Sequence, residues 1–364
     1  MSDQTAVSER EAKVLGIIAT ARGKRAKFRD THINMSHGAG GKATQSLIEG
    51  LLAPAFANDT LDEMADAGAL TVDGVELALT TDSFVVKPLR FPGGSIGTLA
   101  VHGTVNDLAV SGARPLALTL SLILEEGLSA EELGAEVDAI ACAARAAGVS
   151  VIAGDTKVVE RGHADGMYVC TTGIGWRDER ARLSPASLRP GDRILLSGSI
   201  GDHGTAIMLA RNEFELDAEI ESDSCSLWPA ADTLLDAVGP SLRCMRDATP
   251  PRVASVLNEL ARASSVAMIV REGDIPVEPA VAGAAEILGI DPMYMANEGK
   301  LVAFVAPDAA DEALSALRSV AGCEQAAEIG EVRTEPPGMV LMHTSFGGRR
   351  VMDQLVGDPL PRIC

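Results

Sequence analysis

Apolar and polar positions divide the chain into short strands and amphipathic helices that alternate with glycine-rich turns. In the first half, Asp73-Gly74 separates two alternating runs over 69–81 and predicts a hairpin. Ser129 and Glu132 predict the capped start of an Ala-rich helix that ends at Gly148. The other elements predicted here are helices at about 43–57 and 97–111 and strands at 115–124, 149–153 (buried) and 166–176.

The second half shows the same mixture of periods. Its predicted strands are 193–197, 266–270, 301–306 and 339–343, and its predicted helices follow Gly204 and cover 252–263, 279–288 and 308–320. No regular βαβ repeat is present, so we expect α+β domains in which strands and helices form separate layers.

The length of 364 residues indicates two or three domains. We expect an N-terminal extension at 1–30, a first α+β domain at 31–183 and a second at 184–345, whose opening stretch 184–192 is a proline-containing linker. The final segment, 346–364, is expected to be a mobile tail that starts at a Phe-Gly-Gly hinge.

Composition narrows the possible partners. The formal net charge of −20 argues against nucleic acid and anionic membranes as partners. No apolar run approaches the ~18–20 residues that span a bilayer. The six cysteines have neither zinc-site spacing nor the density of a disulfide framework, which indicates a reducing, cytoplasmic location.

The sequence ends in Pro359-Leu360-Pro361-Arg362-Ile363-Cys364. The two prolines favour an extended arm, which at ~3.3–3.6 Å per residue reaches roughly 24 Å from Gly357. Two interpretations remain open at this point. Cys364 is either part of a frayed terminus or a thiol that visits more than one site.

A glycine-rich turn, His37-Gly38-Ala39-Gly40-Gly41-Lys42, precedes the first helix. Gly38, Gly40, Gly41 and Lys42 resemble a phosphate-cradling loop at a helix start. The spacing is not that of a P-loop, because Ala43 stands where Ser or Thr would hold magnesium. An ordinary turn is the alternative. A second such turn, 198–204, opens the second domain.

Carboxylates stand where strands or apolar helices would expose them to a ligand. Asp82 is expected just past a strand, Asn106-Asp107 within an apolar helix, and Asp155-Thr156 just past the strand at 149–153, two residues before Lys157. Turn or cap aspartates are the alternative. Carboxylate and phosphate oxygens together suit Mg²⁺, so the set suggests an ATP-dependent enzyme without a Walker motif.

The motifs resemble those of the HypE family of hydrogenase maturation carbamoyl dehydratases, in the superfamily of aminoimidazole ribonucleotide synthetase and selenophosphate synthetase. The resemblance covers about residues 34–364. It is carried by Thr80-Thr81-Asp82-Ser83-Phe84, Phe91-Pro92-Gly93-Gly94, Gly103-Thr104-Val105-Asn106-Asp107-Leu108-Ala109, Gly154-Asp155-Thr156-Lys157-Val158-Val159, Gly201-Asp202-His203-Gly204, Ala296-Asn297-Glu298-Gly299-Lys300 and Pro361-Arg362-Ile363-Cys364. The terminal cysteine motif is specific to the family, whereas the aspartates and glycine turns are shared across the superfamily.

The resemblance implies a two-domain aminoimidazole ribonucleotide synthetase-like fold and a reaction on Cys364. A carbamoyltransferase maturation protein would load a carbamoyl group onto the sulfur, and ATP would drive its dehydration to a thiocyanate. The cyanide would pass to an iron-carrying hydrogenase maturation scaffold complex. A homodimer is also expected.

The same resemblance implies roles for individual residues. Asp82, Asp107 and Asp155 would hold Mg²⁺ on the triphosphate. Lys157 and Glu298 would position the carboxamide and accept its protons, unless Lys157 contacts phosphate and Glu298 is a structural cap. The residues expected near the nucleotide are Gly38, Gly40, Gly41, Lys42, Asp82, Asn106, Asp107, Asp155 and Thr156.

One stretch departs from the family pattern. Pro250-Pro251-Arg252 stands where Arg-Gly-Gly usually follows Asp247-Ala248-Thr249, and proline removes a backbone donor. Two rival functions stay open, and the proline pair bears on the second of them. One is a kinase or synthetase of the superfamily that acts on a free small molecule, and the other is a non-catalytic nucleotide-binding assembly factor.

Overall fold

The computed structural model describes residues 28–211, 219–249 and 252–357. Most of the N-terminal extension, Pro250-Pro251 and Cys364 lie outside these ranges. The strands are β1 (Gly68–Val72), β2 (Val75–Phe84), β3 (Arg90–Phe91), β4 (Gly94–Ser95), β5 (Ala113–Glu125), β6 (Ser150–Val159), β7 (Met167–Arg177), β8 (Arg193–Leu196), β9 (Leu242–Asp247), β10 (Ala267–Arg271), β11 (Leu301–Val305), β12 (Ala327–Arg333), β13 (Met339–His343) and β14 (Arg349–Met352).

The helices lie between these strands and before them. They are α1 (Lys42–Leu47), α2 (Ala53–Phe56), α3 (Asp59–Asp62), α4 (Ile96–Val110), α5 (Ala130–Ala146), α6 (Asp202–Ala210), α7 (Trp228–Val238), α8 (Val253–Ala263), α9 (Pro279–Leu288) and α10 (Ala310–Arg318). A π-helical stretch, Ile48–Leu52, joins α1 to α2, so residues 42–56 form one continuous helical segment, as the sequence predicted.

The first sheet has five strands in the order β1-β2-β7-β5-β6. β1 and β2 form the predicted hairpin, in which Asp73 and Gly74 both have positive φ and so match a type I′ turn. β5 and β6 are parallel and are joined through α5, whose Ser129 cap accepts a hydrogen bond from the Glu132 amide. We expect Asp82 just past the end of this strand, but β2 continues to Phe84 and Asp82 therefore lies inside it.

Helix α4 covers one face of this sheet and is almost wholly buried. Two glycines allow the close approach. A Cβ at Gly103 would lie 2.7 Å from the Phe84 ring, and one at Gly173 would lie 2.7 Å from the Thr104 methyl group. The contact places the C-terminal half of α4 against β2 and β7.

Strand β6 corrects the expectation of a buried strand at 149–153. It is longer, Ser150–Val159, and nearly all of its residues are exposed because it forms the edge of the sheet. Asp155 and Lys157 therefore lie within the strand, whereas we had expected them to follow it.

The second sheet has seven strands in the order β14-β13-β10-β12-β8-β11-β9. Helix α8 packs on one face and α7 and α10 on the other, so that β11, which pairs with β8 and β9, is buried along its whole length. β14 pairs with β13, and the expected tail segment 346–364 therefore begins with the turn and second strand of a hairpin.

The observed α+β architecture confirms the predicted fold class, and most predicted elements lie within one or two residues of the observed ones. The elements that the sequence pattern did not predict are α3, α7, β3, β4, β9, β12 and β14. Among the described residues, no helix is long and apolar enough to cross a membrane.

Candidate active site

The turn before β11, residues 297–300, lies in the interior where the two sheets meet. Asn297 and Glu298 are fully buried, and the Asn297 Oδ1 accepts a hydrogen bond from the Gly201 amide at 2.8 Å. Gly299 admits no side chain, because a Cβ there would overlap the Asp223 carbonyl oxygen. The packing thus fixes the backbone on both sides of Glu298.

The Glu298 carboxyl group has an unusual environment for a buried acid. Among the described residues, neither of its oxygens has a hydrogen-bond partner. The basic group that lies within ion-pair distance is His203, with Nε2 at 3.9 Å from Oε1. Burial, reinforced by the negative charges of Asp223, Asp247 and Asp82, raises the pKa of Glu298 well above its ordinary range. An unpartnered buried carboxyl group is costly to keep, which favours a functional role over a structural cap.

Residues 219–227, which we call the crossing segment, cover this interior. The Ser222 hydroxyl lies 2.8 Å from His203 Nδ1, and the Ser224 hydroxyl lies 2.9 Å from His102 Nδ1. Asp223 Oδ1 accepts from the Glu298 amide at 3.1 Å, and its Oδ2 lies 3.3 Å from Lys300 Nζ. The segment therefore holds Glu298 through side chains and backbone together.

Asn106 ties helix α4 to the same interior. Its Nδ2 donates to the carbonyl oxygens of Cys225 at 3.0 Å and Glu298 at 3.3 Å, and its Oδ1 accepts from the Leu227 amide at 2.7 Å. The sequence motifs predict that Asn106 lies near the nucleotide. In the structure its side-chain amide positions the crossing segment and the Glu298 backbone.

Asp82 and Asp107 come together as predicted, because α4 packs on β2. Asp107 Oδ2 accepts a hydrogen bond from the Thr80 hydroxyl at 2.6 Å. Burial raises the pKa of both carboxyl groups, and the charge of Asp82 raises that of Asp107 further. The two side chains thus form an acidic pair that favours a cation.

Two further aspartates join the pair, and the sequence analysis assigned neither of them a role. The pKa values of Asp66 and Asp247 are both raised, chiefly by burial, and Asp247 is also raised by the charges of Asp66 and Asp82. Arg246 partly balances the group, with Nη1 at 2.6 Å from Asp66 Oδ1. Asp247 is the last residue of strand β9. A carboxylate at the end of a strand is the signal that singled out Asp82, and it would have found Asp247 if β9 had been predicted.

The acidic cluster of Asp66, Asp82, Asp107 and Asp247 suits a divalent cation electrostatically. The charges of Asp82, Asp247 and Asp66 raise the pKa of Asp107, and a bound cation would relieve this repulsion. Within the described parts of the chain, no three acidic, histidine or cysteine side chains form a ready metal-ligand group. The arrangement fits Mg²⁺ that reaches the site with phosphate oxygens and takes only one or two protein carboxylates.

Asp155 and Lys157 lie elsewhere in the same chain. They form an exposed ion pair with 2.6 Å between Nζ and Oδ2, and the hydrogen bond from Lys157 lowers the pKa of Asp155. The strand registers pair Asp82 with Thr171, Thr171 with Leu120, and Leu120 with Gly154. Asp155 is thus three strand spacings from Asp82, about 14 Å, and on the opposite face of the sheet. Thr156 lies on the same edge strand and is exposed as well.

The glycine turn before α1 makes contacts that the sequence did not indicate. The Lys42 amide donates to the Leu355 carbonyl at 2.8 Å, and Lys42 Nζ lies 2.7 Å from Asp353 Oδ2. A Cβ at Gly41 would overlap the Leu355 carbonyl oxygen. The Gly40 amide donates to the Thr44 hydroxyl at 3.0 Å. Gly38 has open space around its Cα.

The C-terminal residues that lie on this turn are also held from the other side. Gln354 is buried, accepting from Arg262 at 2.8 Å and donating to Glu259 at 3.0 Å. The Tyr294 hydroxyl donates to the Asp353 carbonyl at 2.8 Å. We call residues 353–357 the anchor segment. Cys364 follows it outside the described residues.

Comparison with known families agrees with the two-domain arrangement. The family described as AIR synthase related protein, N-terminal domain, matches residues 64–176. The family described as AIR synthase related protein, C-terminal domain, matches residues 189–341. Together the two matches cover nearly all of both sheets, and β14 lies outside them.

Individual proteins are similar over nearly the whole chain. A carbamoyl dehydratase HypE from Rhizobium leguminosarum bv. viciae is 49% identical over 332 residues, which are 91% of this chain and 95% of the relative. A crystal structure of hydrogenase maturation protein HypE in complex with ATP matches with a TM-score of 0.77 and 43% identity, covering 92% of this chain and 100% of the other.

A crystal structure of a HypE–HypF complex also matches, with a TM-score of 0.80 and 44% identity over 85% of this chain and 99% of the other. The identity and the coverage are high in each of these comparisons. The fold, the acidic cluster and the buried glutamate agree with the motifs singled out in the sequence. The chain belongs to the HypE family of carbamoyl dehydratases.

Proposed function

We propose that the protein is an ATP-dependent carbamoyl dehydratase that converts an S-carboxamide on Cys364 into an S-cyanide. The observation that carries the proposal is the fully buried, unpartnered carboxyl group of Glu298 beside the acidic cluster. Phosphate oxygens with a cation would approach the cluster, and the carboxyl group is available for proton transfer. Relatives named carbamoyl dehydratase, at up to 49% identity, support the same reaction.

The reaction needs an activated oxygen and a base. The carboxamide oxygen is a poor leaving group until it attacks the γ-phosphorus of ATP and displaces ADP. Loss of the nitrogen-bound protons then expels phosphate and leaves the nitrile. Mg²⁺, when bound with ATP, would neutralise the developing phosphate charge.

The residues divide between these two tasks. Asp82 and Asp107, with Asp247 and Asp66 beside them, would receive the cation-bound phosphates. Glu298 would accept protons from the nitrogen, in a site that the crossing segment closes to water. The nucleotide-binding role of Gly38 to Lys42 and the proton-accepting role of Lys157 remain predictions.

A homodimer would explain the open face of the first sheet. Its helix-free face carries Leu70, Leu79 and Trp176, which are 52%, 39% and 50% exposed. These residues share a face because their strands are paired in register, and Asp155 and Lys157 lie on the same face. Pairing of two such faces would bury the apolar side chains and bring the Asp155 strand to a second chain.

The partners follow from the reaction. A carbamoyltransferase maturation protein would load Cys364, and the matched HypE–HypF complex supports such a contact. An iron-carrying hydrogenase maturation scaffold complex would receive the cyanide. The reaction is placed in the cytoplasm, where the thiol stays reduced.

Intact-mass measurement tests the proposal. The protein is incubated with its carbamoyltransferase, carbamoyl phosphate and ATP, in parallel with Cys364→Ala. We expect a carbamoyl adduct on the wild type that loses one water when ATP is present, and no adduct on the variant. ATP turnover on a free small molecule by Cys364→Ala at the wild-type rate would contradict the proposal and favour a kinase or synthetase. ATP binding without water loss in the wild type would favour a non-catalytic factor.

A further inference from the structure

The dehydration requires two proton removals, but among the described residues only Glu298 has a buried carboxyl group with neither oxygen in a hydrogen bond. In the first removal, the phosphorylated intermediate loses one N–H proton and becomes neutral at nitrogen. In the second, the remaining N–H electron pair forms the third C–N bond while the C–O bond breaks and phosphate departs with its electrons. Glu298 holds one proton at a time, so it must release the first before it takes the second.

His203 is placed to take that proton. It is fully buried, and its Nε2 lies 3.9 Å from Glu298 Oε1. This separation exceeds a hydrogen bond, but contacts between catalytic groups tighten when substrate binds. The Phe91 ring packs edge-on against the imidazole, with centroids 5.5 Å apart and an interplanar angle of 84°, and so fixes its orientation.

The other side of the imidazole leads outward. His203 Nδ1 lies 2.8 Å from the Ser222 hydroxyl, and Ser222 is half-buried on the crossing segment. A hydroxyl group both accepts and donates a proton, so it connects a buried ring to the protein surface. The Ser222 amide donates to the Pro92 carbonyl at 2.8 Å, which fixes the serine relative to the Phe91 turn.

We propose that His203 accepts a proton from Glu298 at Nε2 and releases one from Nδ1 through Ser222, so that Glu298 acts as base twice in each turnover. His203 acts through Glu298 and does not touch the substrate, which makes it a positioning and relay residue. The inference rests on the proposed dehydration of the Cys364 carboxamide.

The same segment supplies a matched control. His102 Nδ1 lies 2.9 Å from the Ser224 hydroxyl, so the two histidines make equivalent contacts two residues apart on the crossing segment. Burial lowers the pKa of His102 to about 4. Among the described residues, no hydrogen bond or ion pair joins His102 to Glu298. Replacing His102 therefore removes a contact with the crossing segment and leaves the proton relay intact.

The experiment compares His203→Asn, His203→Gln and His102→Asn in single turnovers of the carbamoylated protein with ATP. Asn retains a polar contact to Ser222 but accepts no proton. The readouts are the nitrile on Cys364 by intact mass, the ADP formed, and the ATP affinity. The ratio of ADP to water lost is informative, because an intermediate that cannot lose its second proton is hydrolysed back to carboxamide.

We expect both His203 variants to bind ATP normally, to form nitrile ~10²-fold more slowly and to produce excess ADP for each water lost. His102→Asn should keep one ADP per water. If both His203 variants form nitrile at the wild-type ratio of ADP to water lost, the proposed relay is wrong. An equal loss of ADP and nitrile, or the same excess ADP in His102→Asn, would also overturn it, because either result indicates a purely structural role. Failure of the proposed function itself looks different, since the wild type would then lose no water.

Discussion

Asp82 and Asp155 lie on opposite faces of the five-stranded sheet, about 14 Å apart across three strand spacings. The two carboxylates therefore cannot bind one Mg²⁺ ion within a single chain. If both take part in the same site, as the sequence motifs indicate, Asp155 must belong to a second copy of the chain. Strand β6 is exposed at the edge of the sheet, and the open face beside it is accessible, so a second chain could receive Asp155 in its site.

Complementation between two inactive variants tests this arrangement. Asp82→Asn and Asp155→Asn homodimers should each lose ATP-dependent dehydration. Mixing and exchanging the chains should restore about a quarter of wild-type activity, since half of the dimers are mixed and one of their two sites is intact. The rate of water loss from carbamoylated protein measures the recovery. Persistent inactivity of verified mixed dimers would place both residues in the same chain's site. An Asp155→Asn homodimer with wild-type activity would remove Asp155 from the site.

The acidic cluster should make the ligand-free protein less stable as pH rises. The folded-state pKa of Asp107 is raised well above its usual value, so between the two pKa values the unfolded chain has lost a proton that the folded chain retains. Unfolding is therefore favoured by rising pH in that range. Asp107→Asn should raise the Tm at neutral pH by roughly 2–4 °C and reduce the slope of stability against pH.

The same replacement should weaken binding of ATP with Mg²⁺, because a carboxylate is lost from the cluster. Calorimetry with and without Mg²⁺ separates this loss from the gain in stability. Asp138→Asn, the same chemical change at an exposed position of α5, serves as a neutral comparison for stability. A Tm that falls in Asp107→Asn would show that the carboxyl group stabilises the fold and is not repelled by its neighbours.

Gly299→Ala should detach the crossing segment from the turn that carries Glu298. The added Cβ would overlap the Asp223 carbonyl oxygen, and overpacking of this kind costs about 1–3 kcal/mol. Chemical denaturation measures the cost, and single-turnover dehydration should fall with it. Gly134→Ala in α5 is the matched change, because open space surrounds that position and alanine favours the helix. Equal stability of the two variants would refute the tight contact.

Gly41→Ala should release the anchor segment from the turn before α1. Its Cβ would overlap the Leu355 carbonyl oxygen, whereas a Cβ at Gly38 meets nothing. Hydrogen exchange at the Lys42 amide, which donates to Leu355, should accelerate ~10-fold or more in Gly41→Ala and remain unchanged in Gly38→Ala. Unchanged exchange in both variants would mean that the anchor segment tolerates the methyl group.

The sequence predicted the elements well because their signals are local. The Asp73-Gly74 turn, the Ser129 cap and the apolar runs each depend on a few neighbouring residues. The family resemblance also grouped Asp82 with Asp107, whereas the apolar pattern of the helix alone left open whether Asp107 faces solvent or a ligand. The exposure of β6 was not predictable in this way, because an apolar run has the same sequence pattern in a central strand and in an edge strand.

Contacts between distant parts of the chain were missed for a different reason. No local pattern predicts that residues 219–227 cover the site, and the sequence around Gly41 does not predict its contact with Leu355. Glu298 was found from its motif. The lack of hydrogen-bond partners for its carboxyl oxygens depends on all the elements that pack around it, and no local pattern predicts it. Asp247 was within reach of the same reasoning that found Asp82.

The anchor segment determines how concentrated the substrate is at its own enzyme. Its contacts with α1 and α8 leave the seven residues 358–364 between the fixed backbone and the Cys364 sulfur. Chain length then confines the thiol to a sphere of roughly 24 Å radius, which corresponds to an effective concentration on the order of 10 mM. Because the carboxamide is tethered to its own chain, the dehydration rate per chain should not change when the protein is diluted, as long as the homodimer persists.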